Sequence, residues 1–531
     1  MTSSMKTKSR LLVPARAMAP SRRTFLAGAT AATALTALPG VGARPAAAEP
    51  KKGGVLRAAK GHGQTTDTLD PGTYVNGYMV ALAYGIHGFL TGVAPDGSVE
   101  PSLAESWEAS ADARTWRFKL RQGVEFHSGK PLTVEDVIAS INHHRGDDTT
   151  SGAAPIVSSI VDMRADGNDT VVFELESGNA DFPFVFTDYH LAICPAEGDS
   201  IDWRSGDGCG PYRLVDFQPG VRSYVERFEN DWTDARGHFD AIELLSILDL
   251  NARTTALVSG EVDTIDKLDL KTVHLLARRP GITINSIPGP QHYTFVMHCT
   301  ADPYTDLNVR LAMKHAINRQ ELVDKILFGH GTVGNDQPIG PSYRYHDASL
   351  AQRDYDPDRA RFHLREAGLD SLAPELSAAD AAFPGAVDAA QLYQASAAAA
   401  GIDLTVKRVP NDGYWADIWL KAPFCAVYWG GRPTADQMLT TAYQSGVAWN
   451  DGKWSNDRFD SLLTEARAEL DDARREAMYH EMQALVNEDA GTIVPMFANW
   501  VFANNEKIAH GDFAANWDVD GERWMERWWF A

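Results

Sequence analysis

One short segment concentrates the residue types that could hold a small molecule. An apolar, strand-like run from Phe424 ends in Tyr428-Trp429-Gly430-Gly431-Arg432-Pro433-Thr434, a guanidinium set behind two glycines and flanked by aromatic rings. Glycine lets a backbone approach a ligand closely, an aromatic ring offers an apolar wall, and a guanidinium can grip a carboxylate through two parallel hydrogen bonds. Two fates are open to Arg432: it faces a ligand, or it points to solvent or pairs with a nearby acid such as Asp436. Other aromatic residues that could line the same site are Tyr74 and Tyr78, after the Asp70-Pro71 turn, and Tyr414 and Trp415, before the strand. Most of the 14 tryptophans are expected to pack in the interior instead.

Enzyme signatures fail on context. Gly329-His330-Gly331-Thr332-Val333-Gly334 matches a dinucleotide fingerprint in letters. It follows a helical pattern, where the fingerprint must follow a strand and open a helix. His480-Glu481 lacks the second histidine of a zinc-protease helix, and no nucleophile elbow, phosphate loop or Cys-x-x-Cys pair occurs. His143-His144 closes a predicted helix and is expected to be solvated, while His292 and His298 would be the histidines to meet a metal-complex ligand. No cofactor and no resident metal are expected.

The N-terminus reads as an export leader. Residues 1–48 hold seven Lys or Arg and no Asp or Glu, and Leu26 to Leu38 is mildly apolar and too short to span a bilayer. Ala46-Ala47-Ala48 fits a cleavage site, and Ser21-Arg22-Arg23-Thr24-Phe25-Leu26 resembles a twin-arginine signal. None of the four cysteines stands at the end of this leader, so lipid anchoring is not expected. The chain carries a net charge of −22, and losing a basic leader makes it more acidic still. Such a surface repels phosphate backbones and anionic lipid, which argues against nucleic-acid and membrane-surface roles.

The elements that must position these residues alternate between the two periodicities. Val55 to Ala59, residues 115–121, 171–175 and 212–215 read as strands. Thr133 with Asp136 three positions on looks like a capping box, Arg310 to Leu327 reads as one amphipathic helix, and Asp356-Pro357 opens another that Gly368 ends. Residues 386–400 look helical, Phe459 to Asp489 gives two helices, and the Trp-rich tail looks strand-like. A chain of 531 residues exceeds what a single core supports, so mixed α/β lobes are predicted.

Several motifs together resemble one family. Pro101-Ser102-Leu103-Ala104-Glu105-Ser106-Trp107 is followed by Phe118 to Thr133, containing Gly123-Val124-Glu125-Phe126-His127-Ser128-Gly129-Lys130-Pro131. Then come Gly208-Cys209-Gly210-Pro211-Tyr212, Leu257 to Asp263, Asn308 to Arg319 and Tyr355-Asp356-Pro357. In this order they resemble the bacterial extracellular solute-binding proteins that carry peptides, nickel complexes, opines and sugars. The resemblance implies a two-lobed periplasmic-binding-protein fold with a hinge. The first lobe would comprise residues 49–75, 191–290 and 501–531, an inserted domain 76–190, and the second lobe 291–500. It implies a monomer that encloses a small polar ligand in the periplasm and delivers it to an ABC permease and ATPase complex. In peptide-binding relatives the Trp-containing strand end carries an aspartate that holds the peptide's ammonium group. This chain keeps Trp429-Gly430-Gly431 and places Arg432 there, so a ligand bearing an acid is expected. In an oxidising compartment the cysteines are expected as two disulfides, Cys194–Cys209 across a polar loop and Cys299–Cys425 in the second lobe.

Two other classes remain open at this level. A ligand-sensing protein that presents its closed form to a chemoreceptor would use the same scaffold, and a hydrolase would require a nucleophile–base pair that the motifs do not supply.

Overall fold

The computed structural model describes residues 49–531 apart from 147, 148, 199, 412 and 413. The export leader expected over residues 1–48 lies outside the described residues.

Strand β1 (Val55–Lys60) follows the glycine pair, and helix α1 (Gly77–Ile86) begins where the Asn76 side chain accepts from the amides of Tyr78 and Met79. Next come β2 (Ala104–Ala109), β3 (Thr115–Leu120), α2 (Val134–Asn142), β4 (Ile160–Ala165) and β5 (Thr170–Leu175). The four strands form an antiparallel sheet in the order β2-β3-β5-β4. The Thr133–Asp136 capping box at the start of α2 is complete in both directions. Beyond it lie β6 (Tyr212–Gln218), β7 (Arg222–Arg227), β8 (Ala241–Ser246), α3 (Leu250–Ser259), β9 (Thr264–Ile265) and the long β10 (Ile282–Met297).

The second half supplies α4 (Leu307–His315), α5 (Arg319–Ile326), β11 (Gly331–Val333), α6 (Pro357–Glu366), β12 (Glu375–Ala378) and α7 (Ala386–Ala398). It continues with β13 (Thr405–Arg408), β14 (Phe424–Trp429), α8 (Ala435–Ala442), α9 (Asp457–Ala468), α10 (Asp472–Asp489) and β15 (Thr492–Asn505). The single helix expected over 310–327 is two, because the Asn318 side chain accepts from the amide of Glu321 and starts α5 afresh. The tail also differs from expectation. It forms a left-handed turn over Asp518–Gly521 and a short helical turn over Trp524–Arg527, and only Trp529–Phe530 is a strand, since Trp524 and Trp528 sit four residues apart and are both buried.

Among the described residues eleven strands make one sheet in the order β6-β7-β8-β1-β9-β15-β10-β14-β12-β13, with β11 also on β15. One core packs β1, α1 and β8 with Phe502, Trp524 and Trp528, and a separate core lies under the four-stranded sheet. Two more cores lie beneath the other end of the large sheet, one around α4, α5 and α7 and one around α8, α9 and α10. Strands β10 and β15 run through both regions as an antiparallel ribbon. Their register breaks between Pro288 and His292, where two prolines remove ladder donors. Gly289 is required there, since a Cβ would stand 2.5 Å from the Trp500 indole nitrogen.

Candidate functional site

The break in the β10–β15 ribbon opens onto a cavity of about 420 Å³. One wall comes from Val93 to Gly97 with Asp181 and Phe184, and another from Pro341 to Tyr345 with Arg432 to Ala435. Ile287, Pro288 and Pro290 form its back, and Phe513, Ala515 and Asn516 close it from the tail. Apolar carbon dominates this lining, with a few polar groups to orient what binds, the usual composition of a small-molecule site.

Arg432 lines this cavity from the end of β14. Gly431, at φ +84°, turns the chain there and sits against Pro290, where a Cβ would stand 2.6 Å from the proline ring. The Arg432 amide donates to the Tyr343 hydroxyl at 2.9 Å, and Nη1 donates to the carbonyl of Gly431 at 2.6 Å. Its guanidinium carbon lies 5.6 Å from the centroid of the Trp429 ring and 6.0 Å from that of Trp449. Among the described residues no carboxylate pairs with it. Asp436 instead meets Arg467 at 3.2 Å. Burial pulls the Arg432 pKa below its ordinary value, partly opposed by the Tyr343 hydroxyl. A half-buried cation with most donors unengaged is a natural anion grip.

The residues around Arg432 support it from behind. Trp429 is buried, and its indole nitrogen donates to Asp451 Oδ2 at 3.2 Å; Trp419 donates to the same oxygen at 3.3 Å. Burial lifts the Asp451 carboxyl to about 6 despite these two hydrogen bonds. Gly430 has open space beside it. Trp415 is half exposed and meets Trp419 and Tyr428 edge-on, at 5.6 and 5.4 Å, outside the cavity lining.

Two expected aromatic contacts are core residues. The Tyr414 hydroxyl donates to the carbonyl of Ala426 at 2.7 Å, and the Tyr74 hydroxyl donates to that of Leu69 at 2.9 Å. Both rings are fully buried, so neither reaches the cavity. Tyr78 is likewise buried, against Ser223 and Leu244.

The cysteines also depart from expectation: all four are free. Cys194 Sγ lies 4.0 Å from His87 Nδ1, and Cys209 points into the apolar core beside Gly88 and Leu103. Cys425 stands opposite Val296, so Cys299 is three residues, ~10 Å of strand, beyond the position that could meet it. Burial raises the thiol of Cys209 to about 12 and holds that of Cys194 well above its ordinary value.

His144, expected in solvent, is buried and shares a hydrogen bond with Ser151. His292 is buried on Phe497, with Nδ1 on the Pro290 carbonyl, and burial lowers its pKa to about 4. Because a carbonyl only accepts, Nδ1 carries the proton and Nε2 is a bare acceptor. His298 lies six residues along the chain, ~20 Å of strand away, so the two histidines do not share a site. Among the described residues no group of three His, Cys, Asp or Glu could hold a metal ion.

Sequence reasoning missed most of the lining. Tyr343-Arg344-Tyr345 follows Pro338-Ile339-Gly340-Pro341, and that proline-rich bend with alternating aromatic and basic residues was a usable signal. Asp181 carried none. In the fold its Oδ1 accepts from Arg475 Nη1 at 2.6 Å, and Oδ2 lies 2.6 Å from Nη2 as an ion contact.

Comparison with known proteins identifies the scaffold. Residues 98–451, more than half of the chain, match the model of the bacterial extracellular solute-binding proteins, family 5, middle region. The chain belongs to this family. It is 26% identical over 462 residues to the di/tripeptide-binding protein 2 of Pseudomonas aeruginosa, covering 79% of this chain and 85% of that protein. Similarity to the Pectobacterium atrosepticum glutathione-binding protein GsiB is 24% over 467 residues, covering 84% and 89%. Among solved structures, the unliganded open form of the periplasmic murein tripeptide-binding protein MppA superposes with a TM-score of 0.79 at 17% identity, covering 92% of this chain and 99% of that one. HbpA2 from Haemophilus parasuis gives 0.78 at 20%, covering 87% and 98%. The fold is thus the two-lobed periplasmic-binding-protein fold, and this family 5 protein is a periplasmic or extracellular substrate-binding subunit of an ABC importer. Among the described residues no helix is long and apolar enough to cross a membrane.

Proposed function

We propose that this family 5 solute-binding protein carries a small ligand presenting an acid group, which Arg432 holds inside the cavity. The observation behind this reading is a half-buried guanidinium that lines the cavity, donates one side-chain hydrogen bond to its own neighbour's carbonyl and, among the described residues, meets no carboxylate. An ammonium placed beside it would meet like charge where water is scarce, while a carboxylate would complete its hydrogen bonding. Relatives are named for di/tripeptides, glutathione and nickel, so family membership leaves the ligand open and the cavity must decide it.

The supporting proposals concern organisation. We assign the first lobe to 49–75, 191–290 and 501–531, the insert to 76–190 and the second lobe to 291–500. Export through a twin-arginine leader, release without a lipid anchor and action as a monomer complete the reading, and no catalytic role is assigned.

The deciding experiment is native purification followed by mass spectrometry of what the protein releases on unfolding. An acid-bearing solute is expected. Adding it back at a hundredfold excess over Kd should stabilise the protein by about 2.7 kcal/mol, a melting shift of a few degrees. Recovery of a ligand without an acid group overturns the proposal.

A further inference from the structure

We propose that the Asp181–Arg475 ion pair is an interlobe latch that holds the cleft closed in the absence of ligand. The two residues are 294 positions apart: Asp181 precedes the short helical turn Phe182–Val185 beside the cavity, and Arg475 lies in the first turn of α10 on the opposite side. Arg475 Nη1 donates to Asp181 Oδ1 at 2.6 Å, and Nη2 meets Oδ2 at 2.6 Å. Both residues are buried. One hydrogen bond and one close ion contact join the two charges, and burial shields the pair from salt.

The surroundings show a built contact rather than a chance meeting of side chains. Arg475 Nε donates to the carbonyl of Ala466 at 3.0 Å, and its guanidinium lies 5.4 Å from the Tyr345 ring and 5.5 Å from that of Tyr479. Next to it the backbone amide of Ala180 donates to the carbonyl of Arg467 at 2.7 Å. Gly178 comes so close that a Cβ would stand 3.0 Å from that of Ala468. Residues 178–181 therefore dock on the end of α9 and the start of α10.

The pair has two arrangements available. When the lobes part, Asp181 returns to water, while Arg475 keeps contacts on its own side: the carbonyl of Ala466 and the rings of Tyr345 and Tyr479. Opening exposes the carboxylate to water and leaves the guanidinium held by a carbonyl and two rings, so the latch can open and re-form. Asp181 and Tyr345 also line the cavity, so the same contact that closes the cleft completes its wall. A ligand then binds a partly pre-formed site, and its apparent affinity rises with the fraction already closed.

The test uses the full chain freed of ligand by unfolding and refolding, with solution scattering as the readout. The ligand-free protein is expected near the ~23 Å radius of gyration of a compact chain of this size. Asp181→Asn and Arg475→Gln should each expand it, and the exchanged pair Asp181→Arg with Arg475→Asp should return it toward the compact value. Near-UV circular dichroism checks folding. If Arg475→Gln does not fold, Asp181→Asn decides, since its amide keeps the carboxylate's shape. Single variants as compact as the original chain, or an original chain already expanded without ligand, overturn the latch. Because no ligand is present, either result leaves the acid-group reading of Arg432 untouched.

Discussion

Replacing Arg432 by alanine should cost affinity far more than stability. The guanidinium has five N–H donors, and among the described residues a single one is engaged, on the carbonyl of Gly431. A carboxylate seated on the free edge gains two hydrogen bonds to a charged group, about 1.5–3 kcal/mol each. Taking the lower bound for both, Arg432→Ala should lose about 3 kcal/mol, or more than a hundredfold in Kd. The folded protein loses little by comparison. The backbone contact to Tyr343 survives, and the stacking of the guanidinium near Trp429 and Trp449 is worth about 1 kcal/mol. Arg432→Lys keeps the charge without the fork and should fall between the two. Isothermal titration of the released native ligand into the three proteins, beside a thermal melt of each, separates the effects. An Arg432→Ala protein that binds this ligand within threefold of the original would refute the reasoning, and so would tight binding of unmodified dipeptides by the original chain.

Asp451 should make stability depend on pH. Burial raises its carboxyl from 3.8 to about 6, so between those values the folded protein holds a proton that the unfolded chain has released. Its contribution is most favourable below pH 4, declines as pH rises to 6 and stays lost above it. Asp451→Asn, which keeps an acceptor for Trp419 and Trp429, is expected to be more stable at pH 7, by up to about 3 kcal/mol, and so to melt higher, with the difference vanishing below pH 4. A thiol titration of native protein should find Cys194, Cys209 and Cys425 unreactive and all four cysteines reactive after unfolding; a mapped Cys194–Cys209 disulfide would contradict the structure. Gly289→Ala places a methyl group against the Trp500 indole and should lower the melting temperature by several degrees, with unchanged melting counting against the tight approach described there.

Local patterns were legible where one short-range interaction decides them. The Thr133–Asp136 box, the Asp356-Pro357 start of α6 and the strand that ends in Trp429 all form where their residues predict. The single helix drawn over 310–327 failed because a cap inside an amphipathic pattern outweighs the pattern. Aromatic residues were harder. Tyr74 and Tyr414 have the composition of ligand contacts, yet each hydroxyl finds a backbone carbonyl inside the core, a partner that no spacing in the chain reveals.

The sequence by itself determined the scaffold, because an ordered set of turns, caps and strands admits few arrangements. It also singled out Arg432, since a cation after two glycines at a strand end is a local fact. Tertiary structure alone decided what surrounds that cation. Asp436 was taken by Arg467, the indoles of Trp419 and Trp429 converged on Asp451, and residues 181, 343 and 516 became neighbours of one cavity. Those outcomes depend on which groups compete for each partner once distant segments meet, and electrostatic pairing across hundreds of residues leaves no period or spacing to read.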